Sequence, residues 1–315
     1  MDNPIDQPLK VRSEIKFDFP TANQMLLLLL FIFLSLFVGL VLIGGLGMAM
    51  GMPLTEIQDA MGGLNVDSSE KMINFVRSSI LINHLTMFVI PGILFTYMIY
   101  KSKWRQFLRL HRSPKAVNWF LGFILLLVSF PLIQYSFYIN SEFIPLPEWA
   151  RTMENNTAGM IEALLATDSP FLVLFNVLII AVVPAFGEEL IFRGLLQGKI
   201  MDSLKNPVAA IWITAILFSA FHMQFEGFIP RLLLGALLGY LYYWTNNLWV
   251  PIIAHFLNNF LQVVAQYLYS HEMSELNIDE IESVPVWSAL VSLVLVVGLG
   301  WYLCNYNREH KTPMV

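Results

Sequence analysis

One cysteine, Cys304, is all the thiol chemistry the 315-residue chain carries. A lone thiol forms no internal disulfide and reports no redox compartment, and its place near the end of the last apolar stretch reads as lipid-facing filler. Charge is scarce too: 13% of residues are charged and the formal net charge is -5. No basic, aromatic-laced patch occurs, which argues against a nucleic-acid partner. There is no internal repeat, no low-complexity tract and no HExxH metal signature. What abounds is hydrocarbon: 57% of residues are hydrophobic and the mean hydropathy is +0.63. That is membrane composition rather than the core of a large soluble protein. The first apolar run starts near Met25 and, at about 26 residues, is too long for the apolar region of a cleavable signal peptide.

Apolar stretches recur at roughly 25–50, 78–100, 117–139, 171–197, 207–224, 228–244, 248–269 and 285–304. They predict an all-α, polytopic protein of about eight transmembrane helices, multi-pass in the cell membrane. The fifth and sixth stretches are short and joined near Glu226-Gly227, where a partly submerged hairpin fits. Basic residues set the orientation. The segment 101–116 holds Lys101, Lys103, Arg105, Arg109, Arg112 and Lys115 without an acid, and is expected in the cytoplasm. Segments 51–72, 141–169 and 270–284 hold fourteen acids against Lys71 and Arg151, and are expected outside. Lys199, Lys205, the N-terminal Lys10, Arg12 and Lys16, and the C-terminal Arg308 and Lys311 then fall inside, so both termini are expected in the cytoplasm. The segment 101–116 also has Trp104, Phe107, Leu108 and Leu110, and reads as an anchor or an amphipathic helix on an anionic leaflet. The segment 141–169 reads as a surface helix with turns at Pro145 and Pro147. This divides the chain into a tail (1–24), an N-terminal helical part (25–169), a core (170–270) and an outer loop, last helix and C-terminal tail (271–315).

The chemistry concentrates at residues 184–193, Pro-Ala-Phe-Gly-Glu-Glu-Leu-Ile-Phe-Arg. A charge at the centre of a membrane helix costs roughly 2.5–3.5 kcal/mol on an insertion scale. Glu188, Glu189 and Arg193 together are a heavy load for an anchor. Glu189 and Arg193, four apart, share a helix face and can neutralise each other, whereas Glu188 is rotated about 100° from Glu189. Pro184 and Gly187 weaken the helix just before the acids. On these residues alone, a functional site and a polar latch between helices stand equal.

Three further polar features lie in apolar stretches: His222 in Phe218-Ser-Ala-Phe-His222, His255 and Asn259 four apart in the seventh stretch, and His84 beside Asn83 in the second. His84 reads as a helix–helix hydrogen-bond partner, and Ser219 as helix packing. At 1.5 Å per residue, Glu188 lies about 16 Å from Lys199, and His222 about 22 Å from Pro207. His255 and Asn259 lie about 12 and 18 Å from Asn247 on the same count. Four groups from three helices thus fall in one slab of a hydrocarbon core about 30 Å thick. A carboxylate and a histidine can hold a water and take its proton. A second histidine with an amide can donate to a developing oxyanion. Glu188, His222 and His255 could also ligate zinc with one position open.

Glu188-Glu189-Leu-Ile-Phe-Arg193, Phe218-Ser-Ala-Phe-His222 and His255-Phe-Leu-Asn-Asn259 match, in order, the motifs EExxxR, FxxxH and HxxxN. In these, in Gly235 and Gly239, and in the Thr245–Pro251 turn, the chain resembles the CPBP family of membrane-embedded proteases over about residues 170–262. The family includes the type II CAAX prenyl endopeptidases and relatives linked to bacteriocin self-immunity. The resemblance implies an eight-helix intramembrane fold and a glutamate-dependent endopeptidase without a cofactor. By position, Glu188 would activate the water, His222 would help hold it, and His255 and Asn259 would form the oxyanion hole. Glu189 and Arg193 would be supporting residues, and no role passes to Asn258. The implied partners are the bilayer and a peptide or membrane-protein substrate, lipidated substrates included. The rival expectations are a zinc protease using the same residues and a non-catalytic binding or immunity protein. The halves show no repeat symmetry that would indicate a transporter.

Overall fold

The computed structural model describes residues 21–274 and 284–310. The expectations for Lys10, Arg12, Lys16 and Lys311, and for most of the outer acidic segment 270–284, lie outside these residues. Everything regular among the described residues is helical, as lipid demands of a backbone that must satisfy its own hydrogen bonds. The helices are α1 (Thr21–Ala49), α2 (Leu54–Gly62), α3 (70–100), α4 (Ala116–Phe143), α5 (Glu148–Leu165), α6 (Pro170–Leu204), α7 (Pro207–Phe221), α8 (Phe228–Thr245), α9 (Trp249–Ser270) and α10 (Val286–Glu309).

Each of the eight apolar stretches lies on a helix. Five helical runs are long and apolar enough to cross a membrane by length and composition: those of α1, α3, α4, α6 and α10. α7 is apolar but shorter. This is a multi-pass membrane protein. α1 and α10 turn large apolar side chains outward, including Phe33, Phe37, Val294 and Trp301, the surface expected of helices that meet lipid. α2 and α5 are the polar exceptions. Each begins after a proline, Pro53 and Pro147, and α5 falls where a surface helix was expected.

Two helices are locally unwound for a common reason. In α6, a π-helical turn at Leu178–Val182 precedes Pro184, and the Val183 N–H donates five residues back to Leu178. In α3, a π-helical turn at Leu85–Val89 precedes Pro91, and the Ile90 N–H donates to Leu85. A proline has no N–H and its ring crowds the carbonyl four residues back; the widened turn relieves both problems. A second π-helical stretch, Leu190–Gln197, follows the two acids. The unwound part of α3 meets α6 at Gly187, between the two π-helical stretches of α6. A Cβ there would lie 2.9 Å from Phe88 Cβ and 3.0 Å from Val89 Cγ2. Gly187→Val is therefore expected to lower stability by about 1–3 kcal/mol through overpacking, read as a lower unfolding temperature in detergent.

The core at this junction is aromatic and aliphatic. Phe88, Phe95, Leu190, Phe192, Leu195, Phe218 and Ile252 are all buried in one cluster. A second cluster joins α4, α8 and α10 through Leu125, Leu126, Leu238, Leu241 and Leu303. Cys304, beside Leu303, is half-buried. A polar clamp ties α3, α5 and α6 together. Buried Arg77 donates to Asn176 Oδ1 at 2.8 Å and to the Leu164 carbonyl at 2.9 Å.

Two expectations are corrected. The basic segment 101–116 is not an amphipathic helix on a leaflet. It holds a 3-10 turn at Lys101–Lys103 and one helical turn at Trp104–Phe107, then folds into the bundle with Phe107, Leu108 and Leu110 buried. Its carbonyls accept hydrogen bonds from the α8–α9 turn: Asn247 Nδ2 to Arg112 at 2.8 Å and Trp249 Nε1 to Leu110 at 3.2 Å. Lys199, taken as a loop marker, is buried within α6. Its ammonium donates to Gln24 Oε1 and lies 5.7 Å from the Phe95 ring centroid and 5.8 Å from that of Phe107. Aromatic faces and an amide hold a charge that was expected to need a surface.

Candidate active site

The site is built outward from Glu189 and Arg193, both with no exposed side-chain surface. Glu189 Oε1 accepts from Arg193 Nη1, as the four-residue spacing requires. Arg193 Nη2 donates to the Gly235 carbonyl at 2.9 Å, and its guanidinium lies 4.5 Å from the Phe218 ring centroid. Gly235 is where α8 presses against α7: a Cβ there would lie 3.2 Å from Phe218 Cδ1 and 3.3 Å from Ala215 Cα. One turn on, Gln197 Nε2 donates to the Gly239 carbonyl at 3.0 Å. The acid–base pair thus fixes α6 to α7 and α8.

Glu189 has a second partner. His255 Nδ1 lies 3.0 Å from the same Oε1. With Glu189 held by the guanidinium, its carboxylate accepts and His255 Nδ1 carries the proton. His255 Nε2 is then aimed at the next acid, 3.9 Å from Glu188 Oε2. One imidazole therefore stands between the two carboxylates, bonded to Glu189 and facing Glu188.

His222 closes the end of α7, just before a turn at 222–227. Its Nδ1 is 2.8 Å from the Phe218 carbonyl, which can only accept, so Nδ1 is the donor. Nε2 faces Glu188 Oε2 at 3.8 Å. Phe218 explains the FxxxH spacing physically. Its carbonyl orients the histidine, while its ring carries Arg193 over its face and meets His222 and His255 edge-to-face. The turn is seated by neighbours. Asn140 Nδ2 donates to the Phe225 carbonyl at 2.8 Å, and the Glu226 N–H donates to Glu154 Oε1 on α5 at 3.1 Å. Ser219 Oγ donates to the Phe228 carbonyl, a packing role as expected.

The residue that sequence reasoning passed over is His84. Its hydrogen bond stays within its own helix, with Nδ1 3.0 Å from the Ile80 carbonyl, and across to α6 its Nε2 is 3.8 Å from Glu188 Oε1. Three imidazoles from α3, the end of α7 and α9 therefore converge on one buried carboxylate of α6. The available signal was depth. His84 stands sixteen residues before Tyr100, about 24 Å along its helix, level with the other polar groups.

Asn259 is placed differently. Its Nδ2 donates to the Ile180 carbonyl at 3.3 Å, and its Oδ1 accepts from Asn258 Nδ2 at 3.2 Å. Ile180 is four residues before Pro184, whose missing N–H cannot serve that carbonyl. Asn259 touches none of the three histidines through a hydrogen bond. Asn258, given no role from the sequence, orients it.

Glu188 Oε2, Glu189 Oε2 and Arg193 Nε are buried without a protein hydrogen-bond partner. All three imidazole Nε2 atoms stand 3.8–3.9 Å from Glu188, beyond direct hydrogen bonding but right for a small polar molecule between them. Among the described residues, no three His, Cys, Asp or Glu side chains are grouped as metal ligands.

Residues 170–261, which hold α6 through most of α9, match a family model described as type II CAAX prenyl endopeptidase Rce1-like. This segment is similar to the Rce1-like family. It contains Glu188, Glu189, Arg193, His222, His255 and Asn259, whereas His84 lies outside it. Three curated relatives are similar over the same order of length. The uncharacterized protein YpbD of Bacillus subtilis (strain 168) is 30% identical over 112 residues, 34% of this chain and 54% of that protein. The membrane-embedded CAAX protease MroQ of Staphylococcus aureus (strain USA300) is 29% identical, over 36% of this chain and 45% of that protein. The putative membrane peptidase YdiL of Bacillus subtilis (strain 168) is 25% identical, over 35% and 43%. The chain spans about half the length of the curated relatives it matches. No solved structure matches the chain.

Proposed function

We propose that the protein is a membrane-embedded endopeptidase that hydrolyses peptide bonds at Glu188. The observation that carries this reading is the convergence of imidazole Nε2 atoms on a buried carboxylate oxygen that has no protein donor. The Rce1-like match and the relative described as a membrane-embedded CAAX protease support it.

In this reading a water sits between Glu188 Oε2 and His222 Nε2. With Nδ1 committed to the Phe218 carbonyl, His222 turns a lone pair toward the water, and Glu188 takes the proton as the oxygen attacks the peptide carbonyl. The developing oxyanion needs donors. Asn259 has a second Nδ2 hydrogen beyond the one given to Ile180. His255, seated on the Glu189 carboxylate through Nδ1, offers a second donor from Nε2 when its ring carries both protons. Glu189 and Arg193 support this arrangement by holding His255 in place. The chemistry as written uses only these side chains and draws on no metal or cofactor. The substrate is a peptide or a membrane protein, lipidated chains included, and the site is that of a cell-membrane enzyme rather than a nucleic-acid binder.

The test compares peptide termini in membranes from cells expressing wild type or Glu188→Ala at matched levels. Termini that appear only with wild type are the expected result and name the substrates. Identical termini, together with intact biological activity of the variant, would replace this reading with a non-catalytic binding or immunity role.

A further inference from the structure

Four polar groups form the centre of the site, and the reading above uses only three of them. His84 stands on α3, outside the Rce1-like segment, and approaches Glu188 on the oxygen that His222 and His255 leave alone. Resting on the hydrolase reading, we propose that His84 is a further catalytic residue: the acid that protonates the departing amine.

The geometry supplies the parts. The Ile80 carbonyl is only an acceptor, so His84 Nδ1 is protonated and Nε2 is the nitrogen that gains and loses a proton. That nitrogen is 3.8 Å from Glu188 Oε1, a separation that admits a substrate atom or a water between them. The ring is held by the Ile80 carbonyl one turn back and by Phe88, whose ring centroid is 6.0 Å away. Phe88 in turn packs on Phe192 and Phe221. The His84 side chain is 22% exposed against 7% for Glu188, so a peptide approaching the carboxylate meets His84 first on the Oε1 side. Charge makes a protonated ring useful there. Glu189 and Arg193 cancel, which leaves Glu188 as one negative charge in a buried site for a proton-carrying imidazole to face.

A peptide amine is a poor leaving group unless it is protonated as the C–N bond breaks. Attack forms the C–O bond, sends the carbonyl π pair to the oxyanion, and leaves the water proton on Glu188. When the oxyanion collapses, the C–N pair goes to nitrogen and takes the proton from His84 Nε2. Rotation of the Glu188 carboxyl presents its new proton at Oε1, and His84 Nε2 takes it. One turnover consumes one water and leaves both side chains as they began.

The test uses the peptide identified by the terminus comparison, prepared with its scissile amide and again as a 4-nitrophenyl ester at the same carbonyl. Nitrophenolate departs without protonation. For His84→Gln in purified, reconstituted protein, amide kcat is expected to fall about 10²–10⁴-fold with little change in KM, while the ester loses less than about tenfold. His84→Phe serves as a second variant if the glutamine protein fails to fold, as judged by thermal unfolding. Equal wild-type and variant rates on the amide would overturn the proposal, and equal losses on both substrates would reduce His84 to a positioning role and overturn it as well. If Glu188→Gln cleaves the amide at the wild-type rate, or if no terminus depends on the protein, the hydrolase reading fails and this proposal falls with it.

Discussion

Glu188→Gln is expected to fold normally and to lose about 10²–10⁴-fold in kcat, the range of a general base. The substitution keeps the shape of the side chain and replaces the proton-accepting oxygen pair with an amide. Stability should hold or rise, because Oε2 has no protein donor and the change removes a buried charge rather than a bond. KM should move little if the carboxylate acts on the water and not on substrate binding. Glu188→Asp is a finer probe. Shortening the side chain by one methylene withdraws the carboxylate from three imidazoles at once, and a displacement of about 1 Å can cost about 10²-fold in rate. Unfolding temperature and single-turnover rate, measured on the same preparations, separate loss of chemistry from loss of fold.

The second large effect is structural. Arg193→Ala is expected to destabilise the protein by about 3–5 kcal/mol, because it strands a fully buried partner charge. Glu189 would keep its carboxylate with no cation, and the Gly235 carbonyl would lose its donor. The face of Phe218 would lose the guanidinium stacked on it. Arg193→Lys should not rescue fully, since an ammonium cannot bridge Glu189 and Gly235 while lying flat on an aromatic ring. Removing both charges, as Glu189→Leu with Arg193→Leu, should destabilise less than Arg193→Ala alone. Thermal unfolding in detergent reads all three. A loss below about 1 kcal/mol for Arg193→Ala would mean that the pair is not the keystone of α6, α7 and α8.

These residues also show what a sequence can carry. Glu188, Glu189 and Arg193 are legible because charge in an apolar run is expensive, and the i, i+4 spacing alone predicts the pair the fold makes. His222 and His255 follow from depth along helices that proved regular up to each residue. His84 did not stand out, because a single histidine on an apolar helix has many uses and its target is more than a hundred residues away. Asn259 is legible as a polar group at the right depth, yet its tie to Ile180 depends on Pro184 in another helix. The segment 101–116 shows the same limit. Its basic and aromatic residues fit a leaflet helix equally well until the α8–α9 turn supplies donors for its carbonyls.

The most direct measurement is the cleavage rate of the identified peptide by purified, reconstituted protein after exhaustive metal chelation, for wild type and for Glu188→Gln. Undiminished wild-type cleavage, with a fall of about 10²-fold or more in the variant, is the predicted result. Cleavage by Glu188→Gln at the wild-type rate would contradict the assignment of this carboxylate as the catalytic base. A wild-type rate lost on chelation and restored by zinc would move activation of the water from the carboxylate to a metal.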